Sequence, residues 1–145
     1  MFRHILIPTD CSLLSSAAVE SGVAFARDAG AKVTVLAVVE PVQLWWGDAP
    51  RPTDIKAVPQ ERPKEEVGRH LAEAERKAKE QGVPCSVMQV EHEHPYRAII
   101  DTARKSGCDL IAMASHGRRG AAALVLGSET TKVLTHSSIP VLVYR

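Results

Sequence analysis

Two segments of this 145-residue chain carry the residue types that bind and orient an anionic ligand. The first is Pro8-Thr9-Asp10-Cys11-Ser12, which follows the apolar run Ile5-Leu6-Ile7. A carboxylate directly after a strand, in so short a loop, accepts hydrogen bonds from a sugar hydroxyl or a nucleobase edge. Asp10 also suits a second role, as an N-cap or first-turn acid that complements the dipole of the next helix. The second segment is Ser115-His116-Gly117-Arg118-Arg119-Gly120, continuing to Leu126-Gly127-Ser128. Glycines at 117, 120 and 127 admit close backbone approach and dihedrals closed to other residues. Gly127-Ser128 opens a helix, and helix N-terminal amides together with a hydroxyl make an anion site. Arg118 and Arg119 set two cations beside it, which suits a polyphosphate. The alternative is a surface turn with two solvated arginines.

Other chemistries leave no trace. There is no G-x-x-x-x-G-K followed by Ser or Thr, and the first strand–helix turn holds no G-x-G-x-x-G. Ser115-His116 does not sit in a G-x-S-x-G elbow. No general base and nucleophile stand at a suggestive spacing, so the expectation is a protein that is not an enzyme, or one capable of slow hydrolysis at most. His92 and His94 precede Pro95 as a metal-type pair, but no third ligand has a matching spacing, and a solvated loop explains them too. Trp45 and Trp46 either line a ligand or partner surface or pin a proline-rich loop to the domain.

The elements that must position these residues follow from the apolar pattern. Ile5–Ile7 reads as a buried strand ending at Pro8. Ser12 caps a helix whose apolar positions recur every three or four residues to Phe25, closed at Gly30. Val33–Val39 is continuously apolar, as in a parallel strand covered on both faces. Residues 40–63 hold five prolines and read as a long loop. A helix follows over Lys64–Gln81, then a strand over Cys85–Val90 and a helix begun by Pro95. Leu110–Ala114, a helix from Gly127-Ser128 to about Ser137, and a strand over Ile139–Tyr144 complete the chain. This alternation indicates one α/β domain over 1–145, a doubly wound parallel sheet with helices on both faces. In such a sheet ligands bind beyond the carboxyl ends of the strands.

Composition agrees. Hydrophobic residues make up 45%, charged residues 24%, and the net charge is +1, so coating nucleic acid or an acidic membrane is not the main business of this chain. Cys11, Cys85 and Cys108 form no C-x-x-C pair, which points to a reducing, cytoplasmic setting. Neither a signal peptide nor a membrane span is legible.

Taken together, the residues resemble the universal stress protein family. The likeness runs through His4–Asp10, Val33–Val39, Asp109–Arg118, Leu126-Gly127-Ser128 and Ser138–Val143. It implies the strand order 3-2-1-4-5, with a switch point between strands one and four that joins the Asp10 loop to the Gly117 loop. Nucleotide-binding members carry Gly, two residues, Gly, nine residues, then Gly-Ser or Gly-Thr. Here Ala114 stands in the first place, Gly117 in the second, and Gly127-Ser128 at the end. A second departure is Glu93, where members often have glycine. The resemblance implies an ATP site, with Mg²⁺ as the companion ion. Asp10 would hold ribose or adenine, Pro8 and Thr9 shape the wall, and Val38 line the adenine slot. Gly117 and the amides of Gly127, Ser128 and Glu129 would hold phosphates. His116 and Gly120 share that loop, and Arg118 and Arg119 join on charge grounds. It also implies a homodimer through 139–144, an apolar edge without a lysine guard. Two functions follow: an ATP-dependent stress regulator, or a dimeric interaction module of the same family that binds no nucleotide.

Overall fold

The computed structural model describes residues 1–41, 64–116 and 126–145. All but the first two positions of the expected 40–63 loop, Trp45 and Trp46 included, lie outside the described residues, as do Gly117, Arg118, Arg119 and Gly120. The elements are β1 (His4–Thr9), α1 (Leu13–Ala29), β2 (Lys32–Val39), α2 (Lys64–Glu80), β3 (Cys85–Glu91), α3 (Pro95–Lys105), β4 (Leu110–Ala114), α4 (Ser128–His136) and β5 (Val141–Tyr144). All strand pairs are parallel, in the order β3-β2-β1-β4-β5 that the resemblance implies. β5 is shorter than the sequence predicts: Ile139 and Pro140 lie before it, with the Ile139 amide donating to Ser137 Oγ at 3.0 Å.

Continuous apolar strands arise because both faces are covered. Ile5 and Ile7, Val33 and Val35, and Leu110 and Ala112 face α1 and α2, meeting Val19, Val23, Leu71 and Ala78. Leu6, Leu36, Ile111 and Met113 face the other way, against Ile99, Ile100 and Ala103 of α3 and Val133 of α4. α1 is fixed at both ends. Ser12 Oγ accepts the Ser15 amide at 3.2 Å, and Gly30 closes the helix at φ 67°. Midway, Gly22 lets the helix press on β1, because a Cβ there would stand 2.6 Å from Ile7 Cδ1. Ile7 is fully buried and has little room to yield. Gly22→Val is therefore expected to destabilise the fold by about 2 kcal/mol through overpacking. A urea titration with a lowered midpoint checks this; an unchanged midpoint would show that Ile7 moves aside freely.

At the amino ends of the strands, Asp109 receives the Arg3 amide at 2.9 Å and the His4 amide at 3.0 Å. His4 Nε2 lies 2.8 Å from Thr34 Oγ1 in the interior. Burial is the main reason that the His4 pKa falls below its usual value; Lys32 adds to this, while Ser106 and Asp109 oppose it. Burial pushes the Asp109 carboxyl up, but the amides of His4 and Arg3 outweigh it and hold the group below its usual value. Both groups then act in one direction. The unfolded chain takes up a proton on His4 at about pH 6.5, before the folded one does, so His4 stabilises fully above that pH and less as pH falls. The Asp109 contribution is lost further into acid, as its carboxyl protonates. The urea midpoint is expected to drop between pH 7 and pH 5, and to drop less in His4→Gln. Equal slopes for the two proteins would show that the drop belongs to other groups.

Among the described residues, no helix is long and apolar enough to cross a membrane.

Candidate functional site

The site begins where β1 and β4 part. The Arg3 carbonyl accepts from Lys32, whereas the His4 carbonyl accepts from Asp109. Along a parallel ladder such groups alternate sides, so odd residues of β1 bond to β2 and even residues to β4. Pro8 is even and has no amide to give to β4. Pairing with β4 accordingly stops at Leu6 opposite Ile111, while pairing with β2 continues through Pro8 and Thr9. The first strand thus runs past Pro8, beyond the end that the sequence predicts. The two pairings part at the topological switch point, where ligands bind in sheets of this kind.

One wall of the switch point is the turn after β1. Asp10 Oδ1 accepts the Ser12 amide at 2.9 Å, and Thr9 Oγ1 accepts the Cys11 amide at 3.1 Å. Thr9 Oγ1 also lies 2.9 Å from Ser15 Oγ. Ser12, not Asp10, is the N-cap of α1, so the Asp10 carboxylate braces the turn ahead of the helix. The buried Cys11 holds φ 63°, a left-handed conformation that side chains other than glycine rarely adopt. The backbone strain therefore sits on a cysteine, where sequence reasoning looks only at glycines.

The other wall is β4 and the start of α4. The Gly127 amide donates to the Ser115 carbonyl at 2.7 Å, and Thr130 Oγ1 donates to the Ala114 carbonyl at 2.9 Å. These bonds tie the first turn of α4 to the end of β4. The first helical backbone bond runs from Thr131 to Gly127 at 3.0 Å, and the N-cap residue, Gly127, has no side chain to cap the helix. The amides of Ser128, Glu129 and Thr130 therefore precede the ladder, at the positive end of the dipole. Two corrections follow. Gly127 has φ −59° and ψ 153°, an ordinary extended conformation, so no unusual dihedral explains a glycine there. Its amide is already spent on Ser115, so the amides that precede the ladder are those of Ser128, Glu129 and Thr130.

Val38 stands half-buried at the end of β2, against the α3–α4 face. Ser115 Oγ lies 2.7 Å from His116 Nδ1, while His116 Nε2 is buried with no hydrogen-bond partner among the described residues. The Thr130 bond to Ala114 depends on how α4 docks and leaves no local signal in the sequence, whereas the Ser115–His116 contact joins neighbours in the chain. Pro8, Thr9, Asp10, Val38, Ala114, His116, Gly127, Ser128 and Glu129 all lie at the carboxyl ends of β1, β2 and β4 or in the first turn of α4. His92 and His94, by contrast, lie beyond the end of β3, where the His94 amide donates to His92 Nδ1 at 2.8 Å. Among the described residues, no three His, Cys, Asp or Glu side chains are grouped as metal ligands.

The whole chain, residues 1–145, matches the Universal stress protein family. The chain belongs to that family. A curated relative, Universal stress protein YxiE of Bacillus subtilis, is 30% identical over 152 residues, covering 100% of both chains. Among solved structures, a universal stress protein in complex with cAMP shares 23% identity at a TM-score of 0.72, covering 99% of this chain and 97% of that one. The universal stress protein of Archaeoglobus fulgidus in complex with dAMP shares 18% at a TM-score of 0.65, covering 100% and 98%. For this member of the family the pleat also places Ala114. Ala112 packs toward α1 and Met113 toward α3 and α4, so Ala114 turns its methyl back to the α1 side, away from the face that carries α4.

Proposed function

We propose that this universal stress protein binds an adenine nucleotide at the switch point, ATP with its Mg²⁺, and acts as a nucleotide-dependent stress-response regulator in the cytoplasm. One observation carries the reading. The first turn of α4, whose N-cap Gly127 offers no side chain to the amides of Ser128, Glu129 and Thr130, is anchored to β4 beside the point where β1 and β4 part. Such a turn receives phosphate oxygens. The buried Nε2 of His116, without a partner among the described residues, is a further group that a ligand could satisfy. Asp10 and Val38, at the ends of β1 and β2, suit the ribose and the base. That two proteins of this fold are described with cAMP and dAMP supports the adenine class. Mg²⁺ would arrive on the phosphates. Cys85 and Cys108 suit a quiet role, since burial pushes each thiol up to about 11. Titration calorimetry with ATP and Mg²⁺ is expected to show binding in the micromolar range. Absence of both heat and a thermal shift at millimolar ATP would overturn the reading.

A second reading, a homodimeric interaction module, rests on β5. This strand lies at the sheet edge, and its four residues are only half-buried. The opposite edge, β3, exposes the polar Ser86, Gln89 and Glu91, which discourage pairing. A two-fold contact between two β5 edges would close the assembly. Dimerisation is compatible with nucleotide binding, because the two features lie at different places in the fold.

A further inference from the structure

Two helices, α3 and α4, start on the same face of the sheet, and one carboxylate joins their first turns. Glu129 is the second residue of α4. Its amide belongs to the donor turn, but its side chain leaves that turn: Oε2 accepts the Tyr96 amide at 2.9 Å, and Oε1 lies 3.3 Å from Lys132 Nζ. The residue before α3, His94, supplies no side-chain cap of its own. Glu129 thus caps α3 from another helix. Glu129, Lys132 and His136 recur at intervals of three and four along α4 and form one stripe. The stripe grips Tyr96. Lys132 Nζ lies 5.5 Å from the centre of the Tyr96 ring, and the His136 ring centre lies 5.2 Å from it.

An acid in the first turn of an anion-binding helix is a chemical conflict. A carboxylate left beside the donor amides repels phosphate and competes for the same N–H groups. Here the conflict is removed by fastening the carboxylate to the positive end of α3 and to an ammonium group. We propose that Glu129 is a positioning residue: by clasping Tyr96 it holds the first turn of α4 in the pose that receives phosphates and keeps its own charge away from them. This inference rests on the nucleotide reading above. It assigns the carboxylate a task separate from that of the Glu129 amide.

Two variants of equal charge test the clasp. Glu129→Gln keeps an oxygen that accepts the Tyr96 amide; Glu129→Ala does not. ATP is expected to bind Glu129→Gln at least as tightly as the wild type, and Glu129→Ala about tenfold more weakly, as for loss of a helix cap. Adenosine is expected to bind all three alike, because it has no phosphate to place. Equal ATP affinity of the two variants, or equal weakening of ATP and adenosine, would overturn the proposal. Amide exchange without ligand gives a second readout. The Thr131 and Tyr96 amides should exchange faster in Glu129→Ala than in the wild type, and return to wild-type rates in Glu129→Gln. If the wild type takes up no nucleotide, the nucleotide reading falls alone, and these exchange rates decide the clasp: unchanged Thr131 exchange in Glu129→Ala rejects it.

Discussion

Gly127→Val is expected to abolish ATP binding, a loss of more than about a hundredfold, while the protein stays folded. Valine accepts the observed φ −59° and ψ 153° without strain, so the backbone needs no glycine there for its own sake. Glycine at a helix N-cap is also only modestly better than valine, at about 1 kcal/mol. What valine adds is a branched side chain at the mouth of the donor turn, where phosphate oxygens must come within hydrogen-bond distance of the Ser128, Glu129 and Thr130 amides. Calorimetry measures the first effect and thermal unfolding the second. Retained affinity in a well-folded variant would move the phosphates away from α4. A companion variant tests the charges that the sequence places nearby. Removing Arg118 and Arg119 is expected to weaken ATP more than adenosine, and equal weakening would place the arginines away from the phosphates.

The second large effect concerns assembly. A homodimer through β5 is expected to show in light scattering as a mass twice the 15.7 kDa of the chain. The ladder to β4 shows which residue to change. The Ile111 amide donates to Pro140, and the Ser115 amide donates to Tyr144. Even-numbered residues at this end therefore turn their backbone groups inward, and Val141 and Val143 turn theirs out to the open edge. Leu142→Pro would break the ladder within one copy of the chain. Val143→Pro instead removes an outward amide, at an edge position where proline is tolerated. It is expected to give a folded monomer whose unfolding midpoint lies close to that of the wild type when both are compared at high dilution. A wild-type mass equal to one chain would reject the dimer, and a Val143→Pro protein that stays dimeric would move the interface elsewhere.

Much of this protein is written locally in its sequence. The continuous apolar runs Ile5–Ile7, Val33–Val39 and Leu110–Ala114 give the buried parallel strands, since a strand covered on both faces shows no alternation. Ser12 and Gly30 give the ends of α1, because caps depend on neighbours within a few residues. The same holds for the helix that Gly127-Ser128 opens, and His4–Asp10, Val33–Val39, Asp109–Arg118, Leu126-Gly127-Ser128 and Ser138–Val143 carry the family resemblance. Other features depend on groups far apart in the chain. That Pro8 ends pairing with β4 but not with β2 follows from ladder phase, which no local pattern records. The strain falls on Cys11 because the bonds of Thr9 and Asp10 fold the turn back on itself. The Gly127 amide is spent, and the Thr130 hydroxyl is bound, because Ser115 and Ala114 present carbonyls to α4 once β4 and α4 dock. In the sequence, the resemblance gives Glu129 only a backbone amide. Packing of α3 beside α4 turns it into the cap of another helix, because a carboxylate goes to whichever unpaired amides and cation the fold brings within reach.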